Sequence, residues 1–562
     1  MPTMTGGRFL AEFLEAAGVK AVFFVPTILS RPLAEMDNMA IKRVLTHGEK
    51  AAAYMADGYA RASGRPGVCG AQAVGAANLA AGLRDALLGN SPVISFSGGR
   101  LPSEKHKGAY QESDDLPLFR NITKTALEVD EVGRLPDLMR QAFREATSGN
   151  PGPVNLQLLG KHGNIEDDLA DLEVAVEHDY LQVPAARPTP ELAKVRVAAE
   201  ILVRAKRPII VAGGGARLSG AGADVLALAE RLSIPVATSV AAYSLVPENH
   251  PLYVGVPGTY SRSYTNQALA QADLILYVGS KTGGQVTHSW RVPDARTPVI
   301  QIGIDPSDLG RNYPNQVSLL GDAKAALQML LEAVGEASSE APAERTGAWV
   351  SQVQAMVTEW RQSVSPVRES DAVPMRPERI MKELGKALPD DVLVVSDTGH
   401  TPMWIMQQLW MESTEWDFIR CAGSLGWAFP ASLGAKCAVP ERPVACLTGD
   451  GGFWYHIQEL ETAVRNEINT VTIVNNNNAL NQEINIFTSA YDGNPSDKWG
   501  ELWQFTHVDF SKLAETMGAV GMRVERPEEI GPAIRAALAC GKPVVVEVMS
   551  DVQALAPTAW LP

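Results

Sequence analysis

The stretch LTGDGGFWYHIQELETAVRNEINTVTIVNNNN, residues 447–478, constrains the fold more than any other part of the chain. "PVACLT" is a short apolar run of the kind that forms a buried strand. Gly449-Asp450-Gly451-Gly452 follows it directly. Ile457, Leu460, Val464 and Ile468 then fall at helical spacing, and "TVTIV" reads as the next strand, ending in Asn475 to Asn478. The pattern is a βαβ unit. In an open parallel sheet the carboxyl ends of neighbouring strands lie side by side, and ligands bind beyond them. Asp450 and the asparagines, 27 positions apart at 450 and 477, are therefore expected to meet. A carboxylate and an amide oxygen are hard ligands, suited to Mg²⁺ or Ca²⁺ rather than zinc. The glycines allow backbone N–H groups to approach a phosphate, and a helix N-terminus favours an anion. The alternative is a surface turn with a capping aspartate and an asparagine-rich loop.

The same alternation of strands and helices recurs along all 562 residues, too long for one ordinary core. Residues 1–175 hold a helical run at Arg8–Ala17 and the strands "KAVFFVP" and "PVISFSGG". A proline-rich stretch, "EHDYLQVPAARPTPELAK", reads as a linker. Residues 190–335 hold "RPIIVAGGG", "IPVATS", "ADLILYVGS" and "PVIQIGIDP", and fade into "GEASSEAPAERTG", read as a surface connection. Residues 370–562 hold "DVLVVSDTG", "RPVACLTGDGG", "TVTIVNNN" and "PVVVEVMS". The expected fold class is α/β, with three doubly wound parallel-sheet domains.

Composition narrows the function. A formal charge of −15 disfavours nucleic acid or an anionic membrane surface as a partner. Five cysteines without a C-x-x-C pair fit a reducing cytoplasm better than a disulfide framework or zinc site. The first residues do not read as a signal peptide, and no apolar run reaches the roughly 18 residues of a membrane span.

Gly-Asp-Gly followed about 25 residues later by paired asparagines resembles the thiamine-diphosphate (ThDP) binding motif. The order of the segments resembles the acetolactate synthase, oxalyl-CoA decarboxylase and 2-hydroxyacyl-CoA lyase branch of that superfamily over essentially the whole chain. The resemblance implies a pyrimidine-binding, a central nucleotide-binding-like and a diphosphate-binding domain. It implies ThDP and Mg²⁺ as cofactors, the metal held by the side chains of Asp450 and Asn477 and the carbonyl of Ala479. Gly449, Gly451 and Gly452 would line the diphosphate. "HGEKAAAYMADGYARASG" resembles the segment carrying the family's glutamate, which makes Glu49 the carboxylate that activates the aminopyrimidine. Alone, Glu49 reads more readily as a solvated residue opening an alanine-rich helix.

Further resemblances follow in order. "QAVGAANLAAGLRDALLGN" is similar to the family's G-P-G-x-x-N segment, nominating Gly75 and Asn78, with Val74 in place of proline. "KGAYQESDD" places Gln111 beside the reacting centre. "SDTGHTPMW" nominates Gly399, His400 and Thr401 for the diphosphate. "GSLGWAFPASLGA" nominates Gly423 and Leu425, the latter as the apolar wedge that bends the cofactor. The implied mechanism is loss of the C2 proton, attack on a carbonyl and cleavage of an adjacent bond, with ThDP as electron sink. Glu49 and the metal motif meet across a subunit interface in this family, implying a homodimer or homotetramer.

"GGGARLSG" at 213–220 invites a dinucleotide reading, but a glycine-rich turn after a strand is weak evidence by itself. The resemblance implies ADP or FAD here, or nothing; ADP or CoA contact is the reading preferred over a redox flavin. Arg217, Lys281 and Arg311 could face a phosphate or be plain surface cations.

For the reaction, "NQE" after the metal loop resembles the actinobacterial 2-hydroxyacyl-CoA lyases, which split a 2-hydroxyacyl-CoA into formyl-CoA and an aldehyde or ketone, reversibly. Glu483 could then move a proton to or from a substrate hydroxyl, with Gln482 beside it. The substrate would be a CoA thioester. "VPTILSRP" lacks the paired glycines of acetolactate synthases, which makes the pocket wall bulkier at Thr27 and Ile28, and little chain follows the last strand to cover CoA. The alternative is an acetolactate-synthase-like carboligase or decarboxylase acting on 2-oxo acids. A third reading is a catalytically silent ThDP-fold binding protein.

Overall fold

The β-branched runs found in the sequence build three parallel sheets in a computed structural model that describes residues 2–26, 28–160, 164–337 and 342–562. Thr27 lies outside the described residues. The first sheet has the spatial order Lys42–Leu45, Ala21–Val25, Gly67–Ala71, Val93–Gly99, Val154–Leu159, Thr125–Val129. The central sheet runs Val236–Thr238, Pro208–Ala212, Leu274–Val278, Val299–Gly303, Asn315–Leu320. The last runs Asp417–Arg420, Leu393–Ser396, Val444–Gly449, Val471–Asn476, Val544–Met549, Val520–Val524. Every pairing within these sheets is parallel, as the continuous apolar runs require when helices cover both faces. A two-stranded antiparallel ribbon, Thr3–Thr5 with Leu169–Asp171, ties the start of the first domain to its end.

Counted within each domain, and leaving the ribbon aside, the outer two sheets share one strand order, 2-1-3-4-6-5. In each, the chain reverses its direction of growth between the first and third strands. That switch point opens a crevice at the carboxyl ends, the place where such sheets bind ligands.

The helices that follow the second strand in these two domains, Glu49–Ser63 and Ala428–Ala438, pack directly on each other. Their small residues allow the backbones to touch. A Cβ on Gly58 would lie 2.0 Å from Ala431 O, and one on Gly434 would lie 1.8 Å from Met55 O. The contact is flanked by a buried network: Trp427 Nε1 donates to Asp57 at 2.8 Å, and the Arg61 guanidinium spans Asp57 (2.7 Å) and Asp85 (2.9 Å). The first and last domains therefore share one core of Ala52, Tyr54, Trp427, Phe429 and their neighbours.

Two local expectations change. The stretch read as a surface connection is helical from Pro342, where a 27-residue helix to Arg368 begins. Of the helix expected from Ile457 to Ile468 only Glu459–Arg465 is helical, and a separate short helix, Asp450–Trp454, precedes it. His456 sits in the break, where its Nδ1 faces Gly426 O at 2.9 Å and its ring meets Tyr54 edge-on. Ile28 is buried in the first domain's core. Among the described residues no helix is long and apolar enough to cross a membrane.

Candidate active site

Three loops leave the switch-point side of the last sheet and line one cavity of about 180 Å³. They are Thr398–Thr401 after Leu393–Ser396, Gly449–Gly452 after Val444–Gly449, and Asn477–Glu483 after Val471–Asn476, with Leu425 closing one side. Gly449 and Asn475 are paired in register, so Asp450 and Asn477 extend from adjacent strand ends.

Asp450 is 3 % exposed, and burial pushes its carboxyl up to about 7 even though the Ala479 N–H donates to Oδ2 at 2.9 Å. In the same cavity the buried Oδ1 atoms of Asn475 and Asn477 have no hydrogen-bond partner in the protein. A desolvated carboxylate beside orphaned amide oxygens is unfavourable unless a cation is shared among them. The donor set thus fits a hard divalent ion. Among the described residues no cluster of three His, Cys, Asp or Glu side chains exists to hold a softer one.

The other asparagines serve the turn. Asn476 Nδ2 donates to the buried Glu547 at 2.7 Å, and its Oδ1 accepts from Asn478 N at 2.9 Å. Asn478 takes a left-handed φ of 56°, a conformation asparagine tolerates, and so redirects the chain between Asn477 and Ala479.

Gly399 has φ 84° and ψ −145°, open only to glycine, and opens the helix His400–Gln408. The unpaired N–H groups of that helix's first turn are therefore presented beside the cavity. Asn481 donates to Val552 O and Ala554 O, both at 3.3 Å, which leaves its Oδ1 to accept from His400 Nδ1 at 3.0 Å. The shared proton is on Nδ1, and burial lowers the imidazole's affinity for a second one. Gln482 and Glu483 are half-buried on the cavity wall.

Two residues that sequence reasoning passed over hold these loops. Asp397 is fully buried and accepts from Thr398 N (2.8 Å), Gly426 N (3.0 Å) and Thr448 Oγ1 (3.2 Å), tying two strand ends to the loop that carries Leu425. Burial raises its carboxyl to about 6. Asp85, from the first domain, accepts from Ala422 N and Ser424 N at 2.8 and 3.1 Å and so fixes the loop that carries Leu425. Asp397 is the first residue of the D-x-G motif and was within reach of a capping argument. Asp85 lies more than 330 positions from its partners and gives no local signal.

The remaining nominated residues sit elsewhere. Glu49 opens its helix beyond the carboxyl end of Lys42–Leu45, where Asn78 Nδ2 donates to it at 3.2 Å. A Cβ on Gly75 would lie 2.5 Å from Glu49 Oε1, so a side chain there would have to displace the Glu49 carboxyl. Gln111, at φ 60°, is on a surface loop, and Gly423, at φ 150°, is exposed. Within one chain none of Glu49, Gly75, Asn78, Gln111 and Gly423 lines the Asp450 cavity.

The central sheet has its own cavity, about 360 Å³, beside Gly213–Gly215, Ser239–Ala241 and Gly279–Lys281. Its glycines have a packing role too: a Cβ on Gly213 would lie 2.3 Å from Gly279 O. Of the three nominated cations only Lys281 lines it. Arg311 pairs with Asp308 at 3.0 Å. Arg217 is neither phosphate-facing nor a free surface cation: its Nε donates to Asp417 at 3.0 Å, joining the central and last domains.

Family comparisons agree with this architecture. Residues 4–118 match the N-terminal TPP binding domain of thiamine pyrophosphate enzymes, 195–330 the central domain, and 397–548 the C-terminal TPP binding domain. The chain belongs to the thiamine pyrophosphate enzyme family. It is a ThDP enzyme of the carbon–carbon lyase and carboligase kind, built from the family's three α/β domains. A probable acetolactate synthase large subunit of Methanococcus aeolicus is 31% identical, over 98% of this chain and 92% of that one. The acetolactate synthase large subunit of Corynebacterium glutamicum is 30% identical over 97% and 86% of the two chains. The glyoxylate carboligase of Escherichia coli O157:H7 is 29% identical over 96% and 92%. The glycines and Asp450 of this ThDP enzyme therefore sit in the domain that the family comparison describes as TPP-binding.

Proposed function

We propose that this ThDP enzyme is an acetolactate-synthase-like carboligase acting on 2-oxo acids. Full-length similarity to acetolactate synthases and a glyoxylate carboligase favours this over the acyl-CoA lyase reading. The observation that carries the cofactor assignment is the buried Asp450 carboxylate beside the orphaned Asn477 Oδ1. On this reading Asp450, Asn477 and the Ala479 carbonyl hold Mg²⁺, and Gly449, Gly451, Gly452, Gly399, His400 and Thr401 border the diphosphate. Bound ThDP supplies a nucleophilic carbon that adds to a carbonyl and stores the electrons released when the neighbouring bond breaks. The protein's task is to orient that group, exclude water and manage protons.

Glu49 holds or releases a proton at its carboxyl toward the pyrimidine ring, with Asn78 Nδ2 fixing the side chain. Because Glu49 does not line the Asp450 cavity of its own chain, a complete site needs a second copy, as a homodimer or homotetramer. Leu425 braces the cofactor from the cavity side with Gly423 on the same loop, and Gln111 approaches the reacting centre. An adenine nucleotide, ADP or FAD, occupies the central cavity, with Lys281 toward its phosphates. The free cysteines support a cytoplasmic setting.

A second reading is favoured by one observation: Gln482 and Glu483 stand on the wall of the cofactor cavity. A carboxylate there suits proton transfer at a hydroxyl, as cleavage of a 2-hydroxyacyl-CoA to formyl-CoA requires. One assay separates the two. The chain with ThDP and Mg²⁺ is given pyruvate, or a 2-hydroxyacyl-CoA. The proposal expects a 2-acetyl-2-hydroxy acid from the first; formyl-CoA from the second alone would replace it. No turnover of either would favour a silent binding protein, against which Glu49, Asp450 and Asn477 all stand.

A further inference from the structure

The helix His400–Gln408 has its first turn at the cofactor cavity and its last turn in a buried cluster of arginines and aromatic rings. A helix leaves its last carbonyls without internal partners, and its C-terminal end favours cations. Here each is met by a side chain. Tyr243 Oη donates to Leu409 O at 2.6 Å and to Ile405 O at 3.4 Å. Arg262 Nε donates to Met406 O at 3.1 Å, and Trp410 Nε1 to Gln407 O at 3.0 Å. The Arg368 guanidinium donates to Gln408 O and lies 3.6 Å from the Trp410 ring centroid. Glu248 accepts from both Arg262 and Arg361, at 3.0 Å each, and is the cluster's carboxylate. Arg262 is 1 % exposed, Glu248 6 % and Arg368 7 %. Tyr243, Glu248 and Arg262 come from the central domain, and Arg361 and Arg368 from the long helix Pro342–Arg368.

We propose that Tyr243, Arg262 and Arg368 are positioning residues for the cofactor. By clamping the carboxyl end of this helix they set where its first turn, with Gly399, His400 and Thr401, stands at the diphosphate. The helix is about 13 Å long at 1.5 Å per residue, and moves as one rod. A displacement at the clamped end is therefore delivered to the cavity. The inference rests on the reading that this cavity takes the diphosphate of ThDP.

The test is Tyr243→Phe, which removes one hydroxyl and keeps the ring that packs on Trp416 and Phe418. Arg368→Lys, which keeps the charge and loses the fork, is the second variant. Three quantities are read on the full chain with Mg²⁺: ThDP Kd by calorimetry, kcat at saturating ThDP, and the thermal midpoint without ThDP. The expected result is a rise in Kd of roughly three- to tenfold, the scale of one hydrogen bond, with kcat at saturation retained. A merely structural role would lower the midpoint of both variants and leave Kd within twofold of wild type, which would overturn the proposal alone. A wild-type chain that binds no ThDP would overturn the underlying reading as well.

Discussion

Asp85 Oδ2 accepts a hydrogen bond from the backbone N–H of Ser424 at 3.1 Å, so the first domain holds the loop on which Leu425 reaches the cofactor cavity. Asp85 is 1 % exposed and also binds Arg61, so its charge is matched on both sides. Asp85→Asn keeps the shape but weakens both contacts. It should cost about 1–3 kcal/mol of stability and raise the ThDP Kd. Urea denaturation and calorimetric titration check the two effects separately; an unchanged Kd would remove Asp85 from the account of the site.

Two glycine substitutions, one at the crossing of Glu49–Ser63 with Ala428–Ala438 and one in the open helix Pro342–Arg368, should have opposite outcomes. Gly434→Ala places a methyl 1.8 Å from Met55 O, where only backbone can yield, and should destabilise by about 1–3 kcal/mol or more. Gly347→Ala meets nothing within 4 Å inside the helix Pro342–Arg368, and should stabilise by about 0.5–1 kcal/mol. Urea midpoints of the two variants give the signs directly.

His456 makes stability depend on pH. Burial, then the charge of Lys50, lowers its imidazole from 6.5 to about 4. The unfolded chain therefore binds a proton that the folded chain resists. The contribution is full above about pH 6.5 and is lost as pH falls toward 4, roughly 3 kcal/mol in all. Relative to wild type, His456→Gln should lose less stability between pH 7 and pH 5. Equal losses would mean that other groups dominate this window.

Glu49→Gln keeps the size and the Asn78 contact but cannot exchange a proton. It should reduce turnover by at least about 100-fold while ThDP binding changes little. Turnover near the wild-type rate would contradict the assignment.

What the sequence made legible follows from how local each signal was. The Asp450 loop and the asparagines are held together by one βαβ unit, so periodicity and strand order were enough to place them on one cavity. Asp85 and the clamp of Tyr243, Arg262 and Arg368 act between elements 40 to 339 positions apart, and no spacing rule reaches that far. Arg217, after a glycine-rich turn, read equally as a phosphate contact or a surface cation; its partner, Asp417, is in another domain. The shared strand order of the outer domains was equally hidden, since it lies in topology rather than in residue repeats.

The central claim is that Asp450 and Asn477 share a divalent ion that secures the diphosphate of ThDP. Calorimetric titration of ThDP into wild type and Asp450→Ala, each with Mg²⁺ and with EDTA, tests it most directly. The account predicts saturable binding by wild type with Mg²⁺, a large loss with EDTA, and little binding by the variant in either buffer. Equal affinity with and without Mg²⁺, or full affinity in Asp450→Ala, would contradict it.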